Sequence, residues 1–121
     1  MTGNELRELV KSKLETLCQN VYYFLADEAG MYPHIVFNLA RTSKYDLARD
    51  DVTLDVDIFS KSEPEAQTLA DTVESMFNAL NDPQNQFLPT FFVENIKNVP
   101  ESDKSIRHKT VEITVQNYER S

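Results

Sequence analysis

The run DVTLDVDIFS, residues 51–60, places two carboxylates, Asp55 and Asp57, two positions apart in an alternation of apolar and polar residues. On a strand, residues two apart share a face and lie about 6–7 Å from each other. Carboxylates at that separation could hold a hydrated magnesium ion, which binds through one or two carboxylates and keeps several waters. Glu112 could join them if the closing strand lies alongside. The competing reading is a solvated strand face in an acidic protein. Nothing else in the sequence completes a catalytic or metal set. His34 and His108 stand at the edges of expected strands without partners at ligand spacing, and Cys18, the one cysteine, cannot anchor a structural zinc site. HExxH, CxxC and EF-hand patterns are absent, and Gly3 and Gly30 alone cannot build a glycine-rich phosphate loop. No nucleophile-elbow sequence supports a serine hydrolase. The expectation is a protein that is not an enzyme and carries no cofactor.

Phe59 is the misfit of this strand. It shares the alternation phase of Asp55 and Asp57, so an aromatic ends an otherwise polar face. Either the strand bulges there and the ring turns inward, or the face meets another chain. With Tyr45, Leu47 and Arg49 of the polar connector 43–50, Phe59 forms the set of candidate partner contacts. Asp50 and Asp51, at the end of that connector, are expected to serve turn chemistry or local ion pairs.

Charge narrows the partners. Twenty acidic residues against twelve basic ones give a net charge of −8, which works against sequence-independent binding to phosphate backbones and against docking on anionic lipid. Tyr22, Tyr23, Phe24, Phe91 and Phe92 could suggest a base-stacking platform, but such platforms come with basic grooves. No apolar run reaches the ~20 residues that span a bilayer, and MTGNELRELVKSK has no signal-peptide core. A lone cysteine permits no internal disulfide. Cytoplasmic synthesis is the economical expectation.

The elements that must position these residues follow from periodicity. Leu6, Leu9, Val10, Leu14, Leu17 and Cys18 form one helical stripe, and Thr2 with Glu5 has capping-box spacing, so a helix is expected over about 4–18. Strands are expected over about 20–26, 34–42 and 51–60, the last two as an antiparallel pair joined by a hairpin-type loop. Ser62 and Glu65 again have capping-box spacing, with Pro64 in the first turn. An apolar stripe from Ala66 to Leu80 then makes a helix over about 63–81, stopped by Asn81-Asp82-Pro83. Strands over about 87–98 and 109–118 complete the chain, the former apolar on both faces. One mainly antiparallel sheet with two amphipathic helices packed on one face, an α+β domain spanning residues 1–121, is the simplest layering.

The order of elements resembles the small tail-completion proteins of long-tailed bacteriophages and prophages, the tail terminators and tail-to-head joining proteins. The resemblance rests on the N-terminal helix, the proline-led strand YPHIVF (32–37), and the alternating strand DVTLDVDIFSKS running directly into the helix EPEAQTLADTVESMFNAL. The closing strand TVEITVQNY completes it, so that it spans roughly residues 5–118. It implies a non-catalytic subunit that forms a ring, commonly a hexamer, at the head-proximal end of the tail. Such a ring caps the tail-tube protein and offers a docking surface to the head-connector protein. The implied location is the host cytoplasm during assembly and then the virion. A ring that passes DNA benefits from a lumen that repels phosphate, and Asp55, Asp57 and Glu112 are the candidates for an acidic lumen or ring face. Two alternatives stand beside this reading: a cytosolic protein-binding module of unrelated function, and a divalent-metal-dependent enzyme built on Asp55 and Asp57.

Overall fold

The computed structural model describes residues 1–25, 31–44, 49–81 and 89–118, with backbone only at 42–44, 49 and 118. Tyr45 and Leu47 lie outside the described residues, as does the side chain of Arg49. The chain runs α1 (Gly3–Leu14), β1 (Val21–Tyr23), β2 (His34–Lys44), β3 (Arg49–Ser60), α2 (Glu63–Ala79), β4 (Thr90–Val99) and β5 (Arg107–Tyr118). The strands form one five-stranded sheet in the order β1-β2-β3-β5-β4. The class is α+β, as the alternation and helical stripes require. All neighbours are antiparallel except β1, which pairs parallel to β2 through Val21–Ile35, Tyr22–Val36 and Tyr23–Phe37.

Several boundaries differ from expectation for local reasons. The first helix is shorter than 4–18: after Leu14 the chain tightens into i→i+3 bonds, Thr16 N–H to the Lys13 carbonyl and Leu17 N–H to that of Leu14. These turns keep Cys18 on the side of the stripe, where it is buried, so periodicity alone read them as helix. The strand expected over 20–26 ends at Tyr23, because Phe24 takes φ 72°, a left-handed conformation costly for a bulky residue and incompatible with a continuing strand. Asp50 and Asp51 belong to β3 and not to a turn. The remaining strands begin or end within three residues of expectation.

The helix starts are specified by side chains. At α1, Thr2 Oγ1 accepts from Glu5 N–H at 3.1 Å and Glu5 Oε1 accepts from Thr2 N–H at 2.9 Å, a full capping box. At α2 only half the box forms, Ser62 Oγ accepting from Glu65 N–H at 3.4 Å. The Glu65 carboxylate instead takes the Ser60 hydroxyl at 2.6 Å, which ties the helix to the end of β3. After α2, Asn81 clamps the start of β4: its amide nitrogen donates to the Phe91 carbonyl at 2.8 Å and its oxygen accepts from Phe91 N–H at 2.7 Å. Nothing in a local pattern foretells that contact.

One face of the sheet carries the core. Ile35 and Phe37, Val52 through Ile58 in alternation, and Val111, Ile113 and Val115 meet Leu6, Val10 and Leu14 of α1 and Ala70, Val73 and Phe77 of α2 in one buried cluster. Both helices therefore lie on the same face. The opposite face is uncovered among the described residues. Lys109, in the inward phase, is buried at the start of α2, where it donates to Glu63 at 2.7 Å and to Asn98 at 2.5 Å. Its charge is matched there, as a buried ammonium requires.

Candidate interaction face

The uncovered face is built by the second phase of each strand, and the register sets its rows. One row runs His34–Phe59–His108, the next Val36–Asp57–Thr110–Lys97, and the third Asn38–Asp55–Glu112–Asn95. Asp55, Asp57 and Glu112 thus come to one surface, as the alternation implied. Directly paired positions on antiparallel strands have Cβ atoms about 4.5–5.5 Å apart, so Asp55 and Glu112 are immediate neighbours.

Phe59 does not turn inward, and β3 has no bulge at that position; the irregularity in the β2–β3 pairing falls between Arg41 and Ser43. The ring stays on the open face, stacked between the two histidines, with centroids 4.6 Å from His34 and 4.1 Å from His108. Tyr32 extends the row, 5.1 Å from His34, and Lys61 lies 5.3 Å over the Tyr32 ring. A four-ring strip thus crosses three strands and borders the acidic patch. Sequence reasoning left both histidines without partners because each stacks on Phe59, 25 residues from His34 and 49 from His108, a relation set only by register.

His108 is the electrostatic hinge of the face. Its Nε2 donates to Asp57 Oδ1 and its Nδ1 to Glu101 Oε1, each at 2.8 Å. An imidazole that donates from both nitrogens is the imidazolium. Burial disfavours that charge, but the Asp57 and Glu101 carboxylates outweigh it and hold His108 above its ordinary 6.5. For Asp57, burial favours the neutral acid, yet donation from His108 and from the Thr110 hydroxyl at 2.5 Å, with the His108 and Lys97 charges, holds it below 3.8. Glu101 belongs to the connector between β4 and β5, so this pair of contacts pins that connector to the sheet.

Asp55 goes the other way. Burial first, then the charges of Asp57 and Glu112, raise it above 3.8, with Lys97 opposing. Lys97 is an ion-pair partner of Glu112 on the same face. A carboxylate with a raised pKa penalises the folded state once ionised, so Asp55→Asn is expected to increase stability at pH 7 by roughly a few tenths of a kcal/mol, the scale of exposed charge interactions. Thermal melts of the two proteins at low and high salt check it. The gain should shrink with added salt, and a loss of stability would show that Asp55 is better satisfied than its neighbours suggest.

The arrangement offers little to a metal. Asp57 is engaged by His108 and Thr110, and Glu112 by Lys97. Among the described residues, no three His, Cys, Asp or Glu side chains gather where they could share an ion. Cys18 is buried, and burial raises its thiol, with a backbone hydrogen bond to Asn20 opposing and the Glu65 charge adding to the rise. That setting gives little thiolate. Of the rings weighed for stacking on bases, Phe91 is in the core, while Tyr23, Phe24 and Phe92 are exposed at 38%, 63% and 44%. No described helix is long and apolar enough to cross a membrane.

Comparison with known proteins locates the fold. No family model matches the chain, and no curated protein matches it in sequence. Among solved structures, a chain from the virion of a native gene transfer agent particle superposes with a TM-score of 0.64 at 10% identity, over 88% of this chain and 84% of that one. A second solved chain superposes with a TM-score of 0.62 at 11% identity, over 100% of this chain and 98% of its own length. At such identities the likeness is one of fold, and it extends over nearly the whole of each chain.

Proposed function

We propose that this protein is a structural subunit of a phage or phage-like particle, a tail-completion protein of the tail-terminator kind. The observation that carries the reading is the near full-length likeness to a chain of a gene transfer agent virion, found for a sequence whose element order independently resembles tail-completion proteins. In this reading copies assemble into a ring, as a hexamer, that caps the tail-tube protein and presents a surface to the head-connector protein. The open sheet face supports it. One face of the sheet is sealed by both helices, while the other carries an acidic patch beside a half-buried aromatic strip. Asp55, Asp57 and Glu112 give the ring an acidic lumen or end face, which repels the phosphates of passing DNA. Phe59 and its flanking histidines provide contact area at the border of that patch.

The test is assembly on a template. Mixed with purified tail tubes from the same particle, the protein is expected to bind tube ends as a closed ring visible by negative-stain microscopy. Alone it should show a concentration-dependent equilibrium by light scattering. A strict monomer that leaves tube ends bare would sink the reading. A ring with Asp55, Asp57 and Glu112 on its outer wall would retain the assembly role and remove the lumen assignment.

A further inference from the structure

On the helix-covered side, away from the aromatic strip, a cavity of about 360 Å³ opens between the first two turns of α1 and the ends of β2, β3 and β5. Two of its lining residues, Asp50 and Asn117, pair directly across β3 and β5. They are 6% and 2% exposed, yet Asp50 Oδ1 and Asn117 Oδ1 are buried with no hydrogen-bond donor. The Asn117 amide is oriented by its own contact, since its nitrogen donates to the Met1 carbonyl at 2.9 Å. Flipping it would set oxygen against oxygen, so the unpartnered atom is an acceptor. Two buried acceptors on paired positions, one a carboxylate oxygen and one an amide oxygen, call for a donor that can reach both, and an ammonium group with its three N–H bonds meets that demand.

The rest of the lining excludes a simple cation. Arg7 and Arg41 also face the cavity, so its described walls carry two guanidinium groups against one carboxylate. Arg7 lies 5.5 Å over the Tyr23 ring and within 4.0 Å of Glu8; Arg41 is exposed at the mouth. The first turn of α1, with Gly3 and Asn4 in the lining, adds the partial positive charge of a helix N-terminus. A bare cation would meet these charges, and a bare anion would leave Asp50 and Asn117 unmatched. Leu6, Leu39 and Val52 supply an apolar wall between the two polar ends.

The geometry points to a binding site for a small zwitterion, an apolar α-amino acid. Its ammonium would donate to Asp50 and Asn117, its carboxylate would face Arg41 and the start of α1, and its side chain would lie on the leucine and valine wall. The cavity volume is within the range of small-molecule sites. This site is independent of the assembly reading, and either can fail without the other.

L-leucine, N-acetyl-L-leucine and L-leucinamide, titrated into the ¹⁵N-labelled full chain, test it by amide chemical shifts. Leucine is expected to give saturable shifts at Gly3, Leu6 and the Asn117 side-chain amide. Each analogue lacks one charge and should bind at least about tenfold more weakly, the value of one charge-assisted hydrogen bond. Asp50→Asn supplies an N–H to Asn117 within the protein, so it should fold and lose leucine affinity by a similar factor. Arg41→Gln, at an exposed position, should melt like wild type and also bind leucine more weakly. The proposal is overturned if no saturable shift develops by about 10 mM leucine, a ligand concentration that registers even weak sites. Equal binding of all three compounds, or unchanged leucine affinity in both variants, would overturn it as well.

Discussion

Asp57→Ala is expected to lower stability by about 2–3 kcal/mol near pH 5–6, the cost of leaving a charged, largely buried donor without its acceptor. The side chain of His108 is 11% exposed and that of Asp57 29%, so solvent replaces the lost contact poorly. The pH dependence carries the mechanism. The folded pKa of His108 is raised above 6.5, so its stabilising contribution is complete below 6.5 and is lost as pH rises through the folded value. The folded pKa of Asp57 is depressed below 3.8, so its contribution is complete above 3.8 and is lost as pH falls through the folded value. The two are fully present together between 3.8 and 6.5. Urea unfolding of wild type and variant from pH 3 to 9 should show the largest difference in that window. The gap should narrow above it, where a neutral imidazole can donate to only one of Asp57 and Glu101. A difference that does not vary with pH would mean that His108 is not held as the imidazolium.

Phe37→Ala should cost more, about 3–5 kcal/mol, the usual range for removing a wholly buried aromatic. Phe37 is 0% exposed, pairs with Val56 on β3 and with Tyr23 on β1, and meets the Tyr23 ring edge-on at 5.1 Å. Its carbonyl also accepts from Phe24 N–H at 2.8 Å, so the position anchors the short parallel strand as well as the core. Set against a total of roughly 5–15 kcal/mol for a domain of this kind, the loss brings the fold near its threshold. Phe59→Ala removes a ring of the same size from the open face, where solvent already reaches it, and should cost far less. Denaturant midpoints at constant slope would measure both. A Phe37→Ala protein within about 1 kcal/mol of wild type would mean that the β1–β2 corner of the core repacks.

Much of this protein was legible in its residues. Alternation at Val52, Leu54, Val56 and Ile58, and again at Val111, Ile113 and Val115, assigns each side chain to a face before any strand is paired. That is enough to bring Asp55, Asp57 and Glu112 to the surface opposite the core. The stripes of α1 and α2 and the Thr2–Glu5 box likewise depend on neighbours within one or two turns. Where a short-range rule was misled, another local contact had intervened. Cys18 kept the helical spacing through a tightened turn, and the left-handed Phe24 ended a strand whose composition would have continued.

Tertiary structure alone decided who faces whom. Register set His34, Phe59 and His108 in one row, turned an apparent misfit into the centre of a ring stack, and brought His108 to Asp57, 51 residues away in sequence, while the β4–β5 connector supplied Glu101. Register also placed Asp50 beside Asn117 and left two buried acceptors open to a cavity, where the sequence suggested turn chemistry or local ion pairs. The reason is physical. A residue's face follows from backbone periods of 2 and 3.6 written along the chain, whereas its cross-strand partner depends on pairings between segments far apart in sequence. Those pairings are selected by burial of the whole sheet against both helices, and no single stretch of residues contains them.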